Sequence, residues 1–322
     1  MPHRVVSSVV LVAGLLVSAA CAHHRPASPA DRFFLHKEAR TVAPAADEST
    51  RQASAEETVK LRELMASARP APRESTPTLE TSDPALAAAL KDLSIASTPE
   101  TLYAVGAAYH RRGLLDQAFT YYSQSQHLAP HRPQTHEALA RLWRDGGMAH
   151  LGLVEVHRAI YYSPSWAAAH NTLGTLLQAV GLREDARSEY EKAIQLDDHA
   201  AYAFNNLCYL SFVEGKTELA MIQCQSALYL DPRLSAAHNN LGLIYAAVGR
   251  LDLARGEFEL AGPSAYASYN MGIVYLSQNR YSDAAGEFDA ADDSHAGLFD
   301  AARRARDARQ HAELDRQNRG GQ

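Results

Sequence analysis

The chain has 322 residues, with 31 Lys+Arg against 37 Asp+Glu and a formal net charge of -6. That weak acidity excludes the basic footprint a nucleic-acid partner needs, and it argues only for solubility. The length alone would suggest about two domains, but an internal repeat replaces that prior.

Met1–Ala20 reads as a targeting segment rather than as fold. Arg4 follows a short polar start, and Val5–Val17 is an apolar run of about 13 residues, too short to span a bilayer. Ser18-Ala19-Ala20-Cys21 comes next, and small residues just before a cysteine resemble the lipobox of bacterial lipoproteins. The resemblance implies that Cys21 is diacylated on sulfur and becomes the new N-terminus. Ser18 departs from the leucine preferred at its place. Ordinary secretion, with cleavage at the A-x-A-like Ala20-Cys21-Ala22, is the plainer alternative. No later apolar run reaches about 18 residues, so no transmembrane helix is expected. The implied location is the bacterial outer membrane, facing the periplasm through a lipid anchor, with secretion to the periplasm as the alternative.

Residues 21–83 are rich in Ala, Pro, Ser, Thr, Glu and Arg and poor in large apolar side chains. Such a stretch cannot bury enough surface to offset its ordering entropy, so a disordered spacer is expected, roughly 45 Å from end to end. A marginal helix over Ala55–Ala68 and a segment that folds on a partner are the alternatives to plain spacer. Pro84–Ser97 reads as an amphipathic flanking helix with Leu86, Leu90 and Leu93 on one side. Thr98, Pro99 and Glu100 then make a helix start: a capping hydroxyl, proline in the first turn and an acid at the positive dipole end.

From Pro99 the chain repeats. Ser235–Ala261 shows the unit most clearly. Leu241, Ile244, Tyr245 and Val248 recur at helical spacing, Gly249 interrupts, and Leu251, Leu253, Ala254, Phe258 and Ala261 restart the period. Earlier copies carry Val105, Gly106, Tyr109, Gly113, Ala118 and Tyr122; then Leu139, Ala140, Trp143, Gly147 and Ala159; then Leu173, Gly174, Leu177, Gly181, Ala186 and Tyr190; then Leu207, Cys208, Gly215, Ala220 and Cys224. The last copy has Met271, Gly272, Tyr275, Asn279, Ala284 and Phe288, with asparagine in place of the inter-helix glycine. This resembles the tetratricopeptide repeat, whose period is about 34 residues. The resemblance implies an all-α fold: an α-solenoid, a right-handed superhelix of about six helix pairs over 99–132, 133–166, 167–200, 201–234, 235–264 and 265–298. Gly242 to Gly272 spans only 30 residues, with Gly262-Pro263-Ser264 where a turn is missing. A shortened second helix is therefore expected in the fifth copy. Asp300–Arg316 reads as a polar capping helix over 299–316, and 317–322 as a disordered tail.

The chain has 15 histidines. His136, His170 and His238 occupy one register in three copies, and repeats step by about 10 Å. Zinc ligands must converge within about 2 Å of one ion, so these are expected to be packing residues. No nucleophile motif, phosphate loop or paired-carboxylate cluster stands out, so no catalytic residue, metal or cofactor is expected. Cys208 and Cys224 fall on facing helices of one repeat. They read as two small buried residues, with a disulfide allowed if the compartment oxidises.

The surface built from the first helix of each pair is the expected peptide-binding groove. Asn171, Asn205 and Asn239 share one register, and Asn206, Asn240 and Asn270 the next. Tyr202, Tyr209, Phe212, Tyr266 and Tyr269 lie on neighbouring turns, and His110, Arg111, Arg141, Arg144 and Gln178 take corresponding places toward the N-terminal end. An amide ladder can bond an extended peptide, and aromatics add anchors. Solvent-facing filler and inter-repeat packing are the bland alternatives. The short fifth copy and Tyr269-Asn270-Met271-Gly272 resemble the Tad (Flp) pilus assembly lipoproteins. That implies a scaffold whose partner is a secretin or another pilus or secretion component. A periplasmic adaptor for cell-wall enzymes or a protease is the alternative, and the repeat half of a glycosyltransferase a weaker one.

Overall fold

The computed structural model describes residues 83–295 and 300–320. The targeting segment, Cys21 and the spacer with its expected helix over 55–68 lie outside the described residues. Those described form fourteen helices and no strand. The chain divides within one of these helices, α5, into two compact units, one ending at Glu155 and one beginning at Val156.

The first unit opens with α1 (Pro84–Ile95), whose N-cap Asp83 accepts from the N–H groups of Ala85 and Leu86. A capping box between Thr98 and Thr101 starts α2 (Pro99–Arg111). The helix α3 (Leu115–Leu128) packs against α2, and α4 (Pro133–Asp145) against both. Leu86 of α1 is fully buried with Val105, Tyr109, Ala118, Tyr122 and Leu139. The flanking helix therefore packs on the first helix pair. The helix α5 (Ala149–Tyr162) crosses the division.

In the second unit the pairs are α6 (Ala167–Ala179) with α7 (Arg183–Leu196), and α8 (Ala201–Val213) with α9 (Thr217–Leu230). There follow α10 (Ser235–Ala247) with α11 (Leu251–Ala261), and α12 (Ser264–Ser277) with α13 (Tyr281–Ser294). The last helix, α14 (Ala301–Gly320), buries Ala301, Ala305, Ala308 and Ala312 against α13. Each helix packs on the next in chain order, and first helices of neighbouring pairs also meet, α6 with α8 and α8 with α10. This is the α-solenoid arrangement.

Two local features set the geometry. Gly113, Gly147, Gly181, Gly215 and Gly249 all have positive φ, and Asn279 takes φ 57 at the sixth site. The turn between the helices of a pair thus needs the left-handed conformation that glycine and then asparagine adopt most readily. Within the pairs, Gly106, Gly174, Gly242 and Gly272 lie directly against the rings of Tyr122, Tyr190, Phe258 and Phe288. The fifth pair loses its residues from the second helix: α11 has 11 residues where α9 and α13 have 14.

Candidate functional site

The first helices of the second unit, α6, α8, α10 and α12, contain no Asp, Glu, Lys or Arg. Of their second helices, α7 carries seven such residues, α9 one, α11 four and α13 five. On each first helix the residues at i, i+3 or i+4, and i+7 line one stripe. In α6 these are Ala168, Asn171 and Thr175; in α8, Tyr202, Asn206 and Tyr209; in α10, Ala236 and Asn239; in α12, Tyr266 and Asn270, the third places of α10 and α12 being the buried Leu243 and Ile273. The stripe is uncharged throughout, a mixture of amide, aromatic and aliphatic groups.

The asparagines bond to one another across repeats. Asn206 Nδ2 donates to Asn171 Oδ1 at 2.7 Å, Asn240 Nδ2 to Asn205 Oδ1 at 2.9 Å, and Asn270 Nδ2 to Asn239 Oδ1 at 3.0 Å. Each link joins the fifth place of one repeat to the sixth of the next. The last link survives the short repeat because the missing residues come out of α11, behind the contact. Two of these amides are not solvent-facing: Asn205 is 8% exposed and Asn240 5%. The expectation of an exposed amide ladder needs correcting here, because each pair of amides spends one N–H and one oxygen on a bond between repeats. Asn240→Ala leaves the buried Asn205 oxygen without its donor and should lower stability by about 1–3 kcal/mol. Adding Asn205→Ala should recover much of that loss, which urea unfolding of the two variants measures.

The aromatic residues separate into two sets. Phe212 is 2% exposed, and Tyr269 is 3% exposed with its ring edge-on to Phe288 at 5.4 Å. Both belong to the core, so neither is an anchor for a ligand. Tyr202, Tyr209 and Tyr266 are half-buried at its margin. Burial raises the Tyr209 hydroxyl above the usual tyrosine value, and Arg183 opposes the shift.

In the first unit Arg141 and Arg144, two of the three arginines expected at a basic end, already hold carboxylates. Arg144 bonds Asp145 at 2.8 Å, His110 Nε2 lies 2.9 Å from the same carboxylate, and Arg141 approaches Glu137 at 3.8 Å. Burial raises the Asp145 carboxyl, but His110 and Arg144 outweigh it and hold the group below the usual carboxylate range.

The histidine register has a second partner that spacing alone did not reveal. His136 Nδ1 meets Glu155 at 2.6 Å, His170 meets Glu189 at 2.7 Å and His238 meets Glu257 at 2.7 Å. Their Nε2 atoms donate to the carbonyls of Pro130, Pro164 and Pro232. With Nε2 as donor, a proton must lie between Nδ1 and the carboxyl. Each clamp ties a first helix to its own second helix and to the preceding turn. A signal was present: where the histidine becomes Phe204, the acid becomes Gln223. Asp197, Asp198 and His199 also bring ligand-type atoms within 4.8 Å of one another. There the His199 N–H bonds Asp197 and the ring bonds Asp198, which closes a turn.

No protein-family profile matches the chain, and no curated relative does. Solved structures do. The crystal structure of the APC/C hetero-tetramer Cut9–Hcn1 aligns with TM-score 0.59 and 18% identity over 69% of this chain, which spans 45% of that one. A tetratricopeptide repeat protein from Parabacteroides merdae aligns with TM-score 0.52 and 17% identity over 79% of this chain and 98% of its own. Pseudomonas aeruginosa pilF aligns at TM-score 0.48 and 19% identity, too loosely to carry weight. The fold is thus that of the tetratricopeptide repeat proteins.

Proposed function

We propose that the chain is an interaction scaffold whose ligand-binding surface is the uncharged stripe on α6, α8, α10 and α12. The observation that carries this reading is the absence of any Asp, Glu, Lys or Arg from these four successive helices, while α7 alone carries seven. A solenoid surface facing only water gains solubility from charge. A surface kept free of it suits an uncharged partner segment with aliphatic and aromatic side chains. The asparagines retain bonding capacity after pairing with one another: Asn171 and Asn239 keep their N–H groups, and Asn206 and Asn270 their oxygens. Those groups can serve a backbone without demanding a charge.

The compartment belongs to the proposal as well. A disulfide in the fourth repeat, described below, favours an oxidising location. The lipobox-like Ser18-Ala19-Ala20-Cys21 favours anchoring to the outer membrane with the repeats in the periplasm. The short fifth repeat, through its resemblance to Tad/Flp lipoproteins, favours a pilus or secretion component such as a secretin as partner.

The test is affinity capture from an envelope fraction with the full chain. Ala168→Glu and Ala236→Glu place charges on open positions of α6 and α10. Together they should weaken partner recovery on the order of tenfold or more, because an unpaired charge is buried on binding. Gln225→Glu is the control, on the outer side of α9. That side has its own open groove of about 540 Å³, lined by Phe204, Ile222, Gln225 and Tyr229. Partners kept by Ala168→Glu/Ala236→Glu and lost by Gln225→Glu would move the interface to that outer groove, where Ile222 is 60% and Tyr229 87% exposed.

A further inference from the structure

The fourth repeat departs from its two neighbours in three ways, and all three are internal. Four repeats set a glycine on the first helix against a ring sixteen residues later: Gly106–Tyr122, Gly174–Tyr190, Gly242–Phe258 and Gly272–Phe288. In the fourth the same two places hold Cys208 and Cys224, joined by a disulfide with Cα atoms 5.2 Å apart. The second repeat has Ala140 and Val156 there. The histidine clamp is also missing, replaced by Phe204 and Gln223. Finally, of the four buried side-chain atoms without a hydrogen-bond partner among the described residues, three lie in this repeat: Ser211 Oγ, Glu214 Oε1 and Gln223 Oε1. Neither the ring contact nor the clamp that closes its neighbours is present to close this pair.

We propose that Cys208 and Cys224 form an oxidative closure site: the disulfide takes over the task of the glycine–ring contact, so the middle helix pair reaches full stability only where thiols are oxidised. Both cysteines are 0% exposed. No oxidant reaches either sulfur once α8 and α9 have closed, so oxidation happens before or during closure. The chemistry is thiol–disulfide exchange with a disulfide-bearing oxidant, a dithiol oxidase or oxidised glutathione. One cysteine thiolate attacks an oxidant sulfur, forms a mixed disulfide and expels one thiol. The other thiolate then attacks the protein sulfur, closes Cys208–Cys224 and expels the second thiol. Two electrons pass to the oxidant, and the two protons from the cysteines end on its thiols. The same burial afterwards shields the bond from reductants.

Thermal unfolding of the full chain by circular dichroism tests this, with oxidised wild type, wild type reduced in denaturant and refolded under reductant, C208S/C224S, and C208G/C224F. Reduction of the wild type should lower Tm by about 6–12 °C, the loop-closure effect for a loop of this length in a chain of this size. C208S/C224S should melt with the reduced wild type. C208G/C224F imports the contact of the fifth repeat, so it should recover at least half of the loss and ignore reductant. Intact-mass alkylation with peptide mapping should show Cys208 and Cys224 unlabelled in the native wild type after dithiothreitol without denaturant. Equal melting of oxidised and reduced wild type overturns the proposal. So does C208G/C224F melting no higher than C208S/C224S, or rapid labelling of Cys208 or Cys224 in the native protein.

Discussion

Gly242→Leu is expected to destabilise the chain by about 3 kcal/mol or more, lowering Tm by roughly 6–12 °C. A Cβ built at Gly242 would stand 2.6 Å from Phe258 Cε1, 2.8 Å from Cδ1 and 3.1 Å from the Ala254 carbonyl oxygen. The ring is fully buried and hemmed in by its own core, so it cannot swing clear. The carbonyl moves only if α11 moves, and α11 also packs on α12. The strain therefore spreads beyond one pair, as nearest-neighbour coupling in repeat stacks predicts. Gly113→Val is the comparison. Gly113 has φ +69 and nothing within 4 Å of a built Cβ. Its cost is backbone strain alone, about 1–2 kcal/mol. Adding Phe258→Leu should restore part of the stability lost in Gly242→Leu and leave Gly113→Val unaffected. The restoration stays incomplete because the Ala254 carbonyl remains. Equal Tm changes for the two glycine variants would mean that helix contact is not what selects glycine at Gly242.

What the amino-acid sequence revealed and what it hid follow from how local each feature is. The left-handed turn at Asn279, the Thr98 cap and the shortened α11 are written in adjacent residues, and the structure has all three. The repeat itself is legible because one register of small and large residues recurs. The amide pairing was not. Asn205 and Asn206 stand side by side on α8, yet one is bonded by the following repeat and the other by the preceding one. Which does which depends on the rotation between neighbouring helix pairs, and helical period does not contain that angle. Phe212 and Tyr269 lie on the groove register too, but both are buried in the core, Tyr269 against Phe288 of its own pair. The cysteines show a different limit. Spacing put Cys208 and Cys224 at a close helix contact, and whether two such thiols bond depends on chemistry outside the chain.

His136→Ala should be the most damaging removal of a polar side chain, and the reason is burial. The side chains of His136 and Glu155 are 3% and 4% exposed. Gln126 Nε2 reaches both, lying 3.1 Å from Glu155 Oε2 and 3.2 Å from His136 Nδ1. Without the imidazole, Glu155 keeps only part of its partners in a site closed to water. Breaking a buried pair from one side costs about 3–5 kcal/mol. The other two clamps are wetter, 9% and 19% at His238 and Glu257, 11% and 27% at His170 and Glu189. His238→Ala and His170→Ala should therefore cost less, His170→Ala least, since water can enter to serve the freed carboxylate. The fourth repeat supplies the compensating change, because it carries Phe204 and Gln223 at the two places. His136→Phe combined with Glu155→Gln should accordingly be more stable than His136→Ala. The ring fills the volume, no charge is left buried, and the amide oxygen that Glu155→Gln introduces can still accept from Gln126. Guanidinium unfolding of the four variants decides the matter. The clamps would be incidental if the three alanine variants lost the same small amount of stability and the paired substitution were no better than His136→Ala. A graded loss that follows the exposure of the pairs would make each clamp the bolt that fixes a first helix to its second helix and to the turn before it.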